Sequence, residues 1–134
     1  MEKISKSFLK DSYFITDLNL CTIRLIDNSK FPWIILIPKR KETTDISQLK
    51  KKDQNLLMKE IVFTSKVMKK TFKAFNLNIE KIGNVVSQLH IHIIARSKKD
   101  SSWPLSVWVV KKKNYSKIAL EKTILRIKKA FKVK

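Results

Sequence analysis

Hydrophobic positions along this chain follow two different periods. Between residues 12 and 37 they cluster as strands do, in Ser12-Tyr13-Phe14-Ile15, in Leu20 to Ile26 and in Trp33 to Ile37. The polar run Asp27-Asn28-Ser29-Lys30 breaks the last two and reads as a turn, so the region predicts antiparallel hairpins. The period then changes. Leu57, Ile61, Met68, Phe72 and Phe75 recur at spacings of four, seven, four and three, which predicts one face of an amphipathic helix of about six turns. Asp45 and Asp53 are candidate starters for it. Strand-like patterning returns over 77–86 and 88–95, before a loop containing Asp100-Ser101-Ser102-Trp103-Pro104. Strands, one long helix, then strands again predict an α+β fold, an antiparallel β-sheet with the helix packed on one face. The opposite face is left free to hold a site.

Both ends read differently. The first ten residues are polar and predict a loose arm or short helix. From Lys111 the chain carries Leu120, Ile124, Ile127 and Phe131 at spacings of four, three and four, backed by Lys117, Lys122, Arg126, Lys128, Lys129 and Lys132. That pattern predicts a basic amphipathic C-terminal helix over 111–134, set apart from a sheet-and-helix unit over 1–110. Its apolar stripe can dock on the domain or on a second subunit, and its cationic face suits an acidic membrane or nucleic acid.

Composition narrows the class. A chain of 134 residues that is 43% hydrophobic suits one domain with a genuine core. Thirty Lys and Arg against eleven Asp and Glu give a formal charge of +19, a field that attracts nucleotides, nucleic acids and acidic surfaces. The same lysine excess also suits a solvated face. No apolar run approaches the ~20 residues that cross a bilayer, and Met1-Glu2-Lys3-Ile4-Ser5-Lys6 leads into no apolar signal core, so the expectation is a soluble cytoplasmic protein. The single Cys21 lies in an apolar run and reads as a buried structural thiol.

Candidate chemistry concentrates in Gln88-Leu89-His90-Ile91-His92-Ile93-Ile94-Ala95-Arg96, which holds both histidines of the chain. In a strand, Gln88, His90 and His92 project from one face while Leu89, Ile91 and Ile93 pack behind them. An edge strand with two exposed histidines gives the same alternation. Two neighbours favour chemistry, however: Gly83-Asn84-Val85-Val86-Ser87, with the sole glycine of the chain, and Arg96 beyond. Imidazole is neutral and nucleophilic near cell pH and turns cationic once bonded to phosphorus. A zinc site built on His90-x-His92 would need Cys21 and a carboxylate, which no spacing recommends, so no metal is expected.

The segment resembles the signature of the histidine triad (HIT) family, His-φ-His-φ-His-φ-φ with φ apolar, and most closely a bacterial branch carrying Gln-Leu-His-x-His. Gln88 takes the first triad place, His90 the second and His92 the third. Phe31-Pro32-Trp33 through Lys39-Arg40 resembles the family's strand ending in Pro-x-Arg, and Trp103-Pro104 with Trp108 resembles the same branch, so the likeness spans roughly 10 to 108. It makes 1–110 a HIT-like domain. It implies a homodimeric nucleotide hydrolase or nucleotidyl transferase without cofactor, in which His90 attacks the α-phosphorus and His92, Gln88 and the Gly83-Asn84 amides face the phosphate. Substrate contacts are implied for Asn84 and Asn78 at phosphate and for Asp27 at the ribose hydroxyls. Glutamine cannot titrate, so Gln88 can position but cannot act as an acid. Arg96 is read as a surface charge outside the catalytic set. The rival reading is a non-catalytic nucleotide- or nucleic-acid-binding protein using the same scaffold and its charge.

Overall fold

The structure, a computed structural model, describes residues 3–132; the terminal parts of the units expected over 1–110 and 111–134, namely 1–2 and 133–134, lie outside the described residues. In chain order the elements are α1 (Lys6–Asp11), β1 (Ser12–Asp17), β2 (Cys21–Ile26), β3 (Trp33–Pro38), α2 (Lys51–Phe72), β4 (Asn76–Glu80), β5 (Ile91–Arg96) and α3 (Lys117–Lys132). The five strands form one sheet in the order β1-β2-β3-β5-β4, and every pairing is antiparallel. This is the α+β architecture expected from the sequence, with the arm at the N-terminus folded as the short helix α1.

Alternation along the strands sorts side chains to two faces. Ile23, Leu25, Ile34, Leu36, Ile91 and Ile93 face α2 and join Leu57, Ile61 and Met68 in one core. Burying each such side chain contributes on the order of 1.5–3 kcal/mol. The α3 stripe enters the same core through Ile127 and Phe131, with Leu120 and Ile124 half-buried against it. The C-terminal helix therefore docks on its own domain, beside α2 and β1. Its cations also work at that seam: Arg126 donates to the Thr71 carbonyl and stacks 4.8 Å from the Phe72 ring centre.

On the other face, two smaller clusters flank an open centre. Phe8 of α1 covers Ile35 and Ile37, while Val107, from a 3-10 turn at Val107–Val109, packs on Phe31, Trp33 and Ile94. With both faces covered, β3 and β5 are buried throughout, which explains their near-continuous apolar sequence. Among the described residues no helix is long and apolar enough to cross a membrane.

Three local expectations need correction. Phe75 lies beyond α2, not on its core face, because Lys73 adopts a left-handed conformation at φ 49° and ends the helix; Phe75 is exposed and meets Trp103 edge-on. Asp45 caps the short 3-10 turn Ile46–Gln48, while Asp53 sits inside the first turn of α2 and holds Arg40 through two hydrogen bonds. The strands expected over 77–86 and 88–95 are shorter, for 81–90 forms a loop in which Leu89 N donates to Thr43 O instead of joining a ladder.

One buried acid fixes the β1–β2 hairpin. Glu60 of α2 accepts from Leu20 N and Cys21 N, both at 2.8 Å, and is itself buried. Glu60→Gln leaves one of these amides facing an NH2 group and should cost about 2–3 kcal/mol in urea unfolding. Beside it, Cys21 is fully buried, and its thiol is held well above its usual pKa by burial first and by the Glu60 carboxylate second.

Candidate active site

A cleft of about 570 Å³ opens on the sheet face away from α2, and both histidines line it. Phe8 and Val86 close one side, Trp33, Val107 and Trp108 the other, and the 82–85 loop with Asn28 and Lys112 forms the rim. Cys21 faces α2 across the sheet from this cleft, and among the described residues no group of three His, Cys, Asp or Glu could hold a metal. A second hollow of about 670 Å³ lies between the β1–β2 hairpin, α2 and α3 but holds no histidine.

His92 belongs to β5, where it pairs with Ile35 on one side and Glu80 on the other. His90 stands just before the strand, with its ring centre 4.7 Å from that of His92 and 4.6 Å from that of Phe8. Their hydrogen bonds assign the ring protons. His90 Nδ1 lies 2.7 Å from the Gln88 carbonyl oxygen, which can only accept, so Nδ1 carries the hydrogen and Nε2 keeps its lone pair. For His92 the relation is reversed, since the Trp33 indole N–H donates to Nδ1 at 3.0 Å. An indole nitrogen cannot accept, so neutral His92 carries its hydrogen on Nε2. The cleft thus presents a nucleophilic nitrogen beside a hydrogen-bond donor.

Burial also disfavours the charged form of both rings. The His90 pKa is lowered, chiefly by desolvation, against a smaller opposing effect of the Gln88 carbonyl and with help from the Lys81 charge. His92 is pushed down to about 4 by desolvation and then by His90. An unfolded chain takes up these protons near pH 6.5, so stability supplied by the neutral rings is complete above that pH and declines as pH falls toward 4. For His92 the loss across this window is about 3 kcal/mol. Guanidinium unfolding at pH 7, 6, 5 and 4 should show stability falling through these steps, and His92→Phe should flatten the dependence.

The remaining candidates separate. Asn84 is exposed on the cleft rim, next to Gly83, whose φ of 73° accounts for glycine at that turn. Gln88 reaches the site only through its backbone carbonyl; its side chain turns to the N-terminal arm, accepting from Ser5 N at 2.8 Å and donating to Lys3 O at 3.1 Å. The common projection of Gln88 with the histidines fails because the strand begins after His90. Asp27 is buried below the rim, accepting from Tyr115 N at 2.8 Å and from Tyr13 Oη at 3.4 Å, so it ties the segment before α3 to the sheet. Asn78 stands on β4 and accepts from Arg96 Nη1 at 2.7 Å.

Arg96 overturns its surface reading. It is 1% exposed, bonds Asp100 with Nε at 2.8 Å and Nη2 at 3.0 Å, and reaches Ser102 Oγ and the Leu105 carbonyl. Phe31 and Trp103 cover its guanidinium. This hub shapes the loop that delivers Val107 and Trp108 to the cleft. Sequence reasoning passed over Phe8, Trp33 and Arg96 as parts of the site's frame. The four-residue spacing of Arg96 and Asp100 was a local sign of the last.

Comparison with known proteins agrees with this geometry. A family model described as the HIT domain matches residues 8–99. Among solved structures, the chain is similar to a histidine triad protein of Bradyrhizobium japonicum at 32% identity and a TM-score of 0.92, with 96% of this chain and 97% of that one covered. A HIT protein of Sinorhizobium meliloti shows 32% identity and a TM-score of 0.91, covering 96% of each chain. A histidine triad protein of Marinobacter aquaeolei shows 25% identity and a TM-score of 0.93, covering 97% of this chain and 96% of that one. No curated protein matches the sequence.

Proposed function

This chain belongs to the HIT family, and given that membership we propose that it is a nucleotide hydrolase or nucleotidyl transferase with His90 as its nucleophile. The observation that carries the reading is the bond from His90 Nδ1 to the Gln88 carbonyl, which leaves Nε2 unprotonated at the cleft. Nε2 attacks the α-phosphorus of a nucleoside phosphate, phosphoramidate or dinucleoside polyphosphate. A P–N bond forms, the bond from phosphorus to the leaving group breaks, and that group departs with the electron pair. Water, or another hydroxyl acceptor, then attacks phosphorus and gives its proton to solvent in the open cleft, while the P–N bond breaks and its electron pair returns to Nε2. The imidazolium formed midway keeps its Nδ1–H on the Gln88 carbonyl, so the backbone supports the charged state without a third histidine.

Charge grows on the non-bridging oxygens during both steps, and donors already aimed there lower the barrier most. The His92 Nε2–H is one such donor, with the loop amides at Gly83 and Asn84 as further candidates. Asp27 acts on substrate here only by shaping the rim. The apolar walls suit a base, and Asn84 suits a phosphate. In the homodimer implied by the family, a second copy would meet the open edge of β4, whose sole ladder partner among the described residues is β5. Sedimentation should then give twice the 15.8 kDa of one chain, and a monomer would contradict the dimer.

The function itself is tested by incubating the protein with adenosine phosphoramidate and with diadenosine polyphosphate. Release of nucleoside monophosphate from either is expected. Tight nucleotide binding with no release from any of these substrates would favour a binding protein on this scaffold.

A further inference from the structure

We infer that Trp33 is a positioning residue that fixes His92 as a permanent hydrogen-bond donor toward the cleft and excludes it from proton transfer. The indole donates to His92 Nδ1 at 3.0 Å, with Trp33 4% exposed and His92 5% exposed. Its ring cannot swing away, since Phe31, Ile94 and Val107 enclose it and Trp108 meets it edge-on at 4.9 Å.

The chemistry of the partner decides what His92 can do. A carboxylate at Nδ1 would accept a hydrogen there and stabilise the imidazolium, making the other nitrogen a proton shuttle. An indole does the opposite. It only donates, and it does not titrate. His92 can gain a proton at Nδ1 only by losing the bond to Trp33 in an environment where water is scarce. The surrounding charges do not reverse this. His90 lies beside it and repels a second charge. Lys81 acts in the same sense on His90. Glu80, across the β4–β5 ladder, is engaged with the Trp108 indole.

The two histidines of this site are therefore held in opposite tautomers by groups of opposite kind. A carbonyl at His90 frees Nε2 for attack, and an indole at His92 loads Nε2 with hydrogen. With the Gln88 side chain occupied at the N-terminal arm, the proton-bearing nitrogen of His92 is a fixed dipole on a ring whose centre lies 4.7 Å from that of the nucleophile. The assignment of tautomers stands without any reaction; the catalytic consequence rests on the reading of His90 given above.

Nitrogen-15 NMR of histidine-labelled protein at neutral pH reads the tautomer directly, and 3-benzothienylalanine in place of Trp33 keeps ring volume while removing the N–H. In the native protein His92 should show hydrogen on Nε2 and a bare Nδ1. The isostere should yield a tautomer mixture at His92 with His90 unchanged, and kcat should fall about tenfold with KM altered less than about twofold. Hydrogen on Nδ1 of His92 in the native protein would overturn the inference, as would an isostere that changes neither tautomer nor kcat. A shifted tautomer with full kcat would contradict the positioning role. A native protein without turnover would instead fail the reading of His90, and the spectra alone would then decide the state of His92.

Discussion

Replacing His90 with alanine is expected to lower kcat/KM for nucleotide substrates by roughly 10⁴-fold or more, while nucleotide affinity stays within about threefold. The asymmetry follows from what the side chain supplies. In the proposed reaction its Nε2 forms the bond to phosphorus, an interaction absent from the ground state, so the loss falls on the barrier and not on binding. The cleft walls built by Trp33, Val107 and Trp108 remain in place. Water is a poor substitute for the imidazole, because it must lose a proton as it attacks and no unengaged carboxylate lines the cleft among the described residues: Asp11, the one carboxylate there, faces Lys112 at 3.9 Å. Single-turnover kinetics with the substitution, beside equilibrium binding of a nucleoside monophosphate, measures both halves. Residual turnover above about a tenth of the native rate would remove His90 from the nucleophile's place.

The largest effect on stability is expected at Arg96. Arg96→Ala leaves Asp100, whose side chain is 8% exposed, without its bidentate partner, strands Asn78 Oδ1, and leaves the Leu105 carbonyl with the Ser102 hydroxyl as its remaining donor. Removing one member of such a buried pair costs about 3–5 kcal/mol, most of it the penalty of a buried carboxylate left without its counter-charge and held only by the amides of Ser97, Ser102 and Trp103. Burial alone would raise the Asp100 pKa, yet the Arg96 guanidinium and the amides of Ser97 and Ser102 hold it below the usual range. That net depression means stability present above the unfolded value near pH 4 and lost as pH falls below it. One comparison separates the mechanism from simple loss of packing. Urea unfolding of Arg96→Met with Asp100→Asn should recover at least about 1 kcal/mol relative to Arg96→Met alone. Because the hub shapes the loop bearing Trp108, Arg96→Ala should also weaken nucleotide binding, although Arg96 itself lies outside the cleft.

The elements that the sequence made legible are those whose burial repeats at short range. Leu57, Ile61 and Met68 mark α2 because one side of the helix meets one sheet face, and Ile127 with Phe131 mark α3 for the same reason. The histidine row was legible as chemistry because period-two alternation placed His90 and His92 on a face that α2 leaves open. What could not be read depends on contacts distant in the chain. Gln88 turns from the site toward Ser5, 83 residues earlier, and no local pattern announces that bond. Trp33 and His92 are 59 residues apart, joined only once β3 and β5 fall into register. Arg96 looked like a charge at a strand end, and its burial requires Asp100, Ser102 and Leu105 to fold back over it. Phe75 failed for a backbone reason, as a lysine in left-handed conformation ends the helix where glycine would have given warning.

The central claim is a covalent bond between His90 Nε2 and the α-phosphorus. Intact-protein mass spectrometry after rapid quenching without acid, following incubation with adenosine phosphoramidate or diadenosine polyphosphate, tests it most directly. A nucleotidyl mass increment is expected in the native protein, mapped to His90 by fragmentation and missing from His90→Ala. Nucleotide released at full rate with no increment, or an increment that persists in His90→Ala, would contradict it.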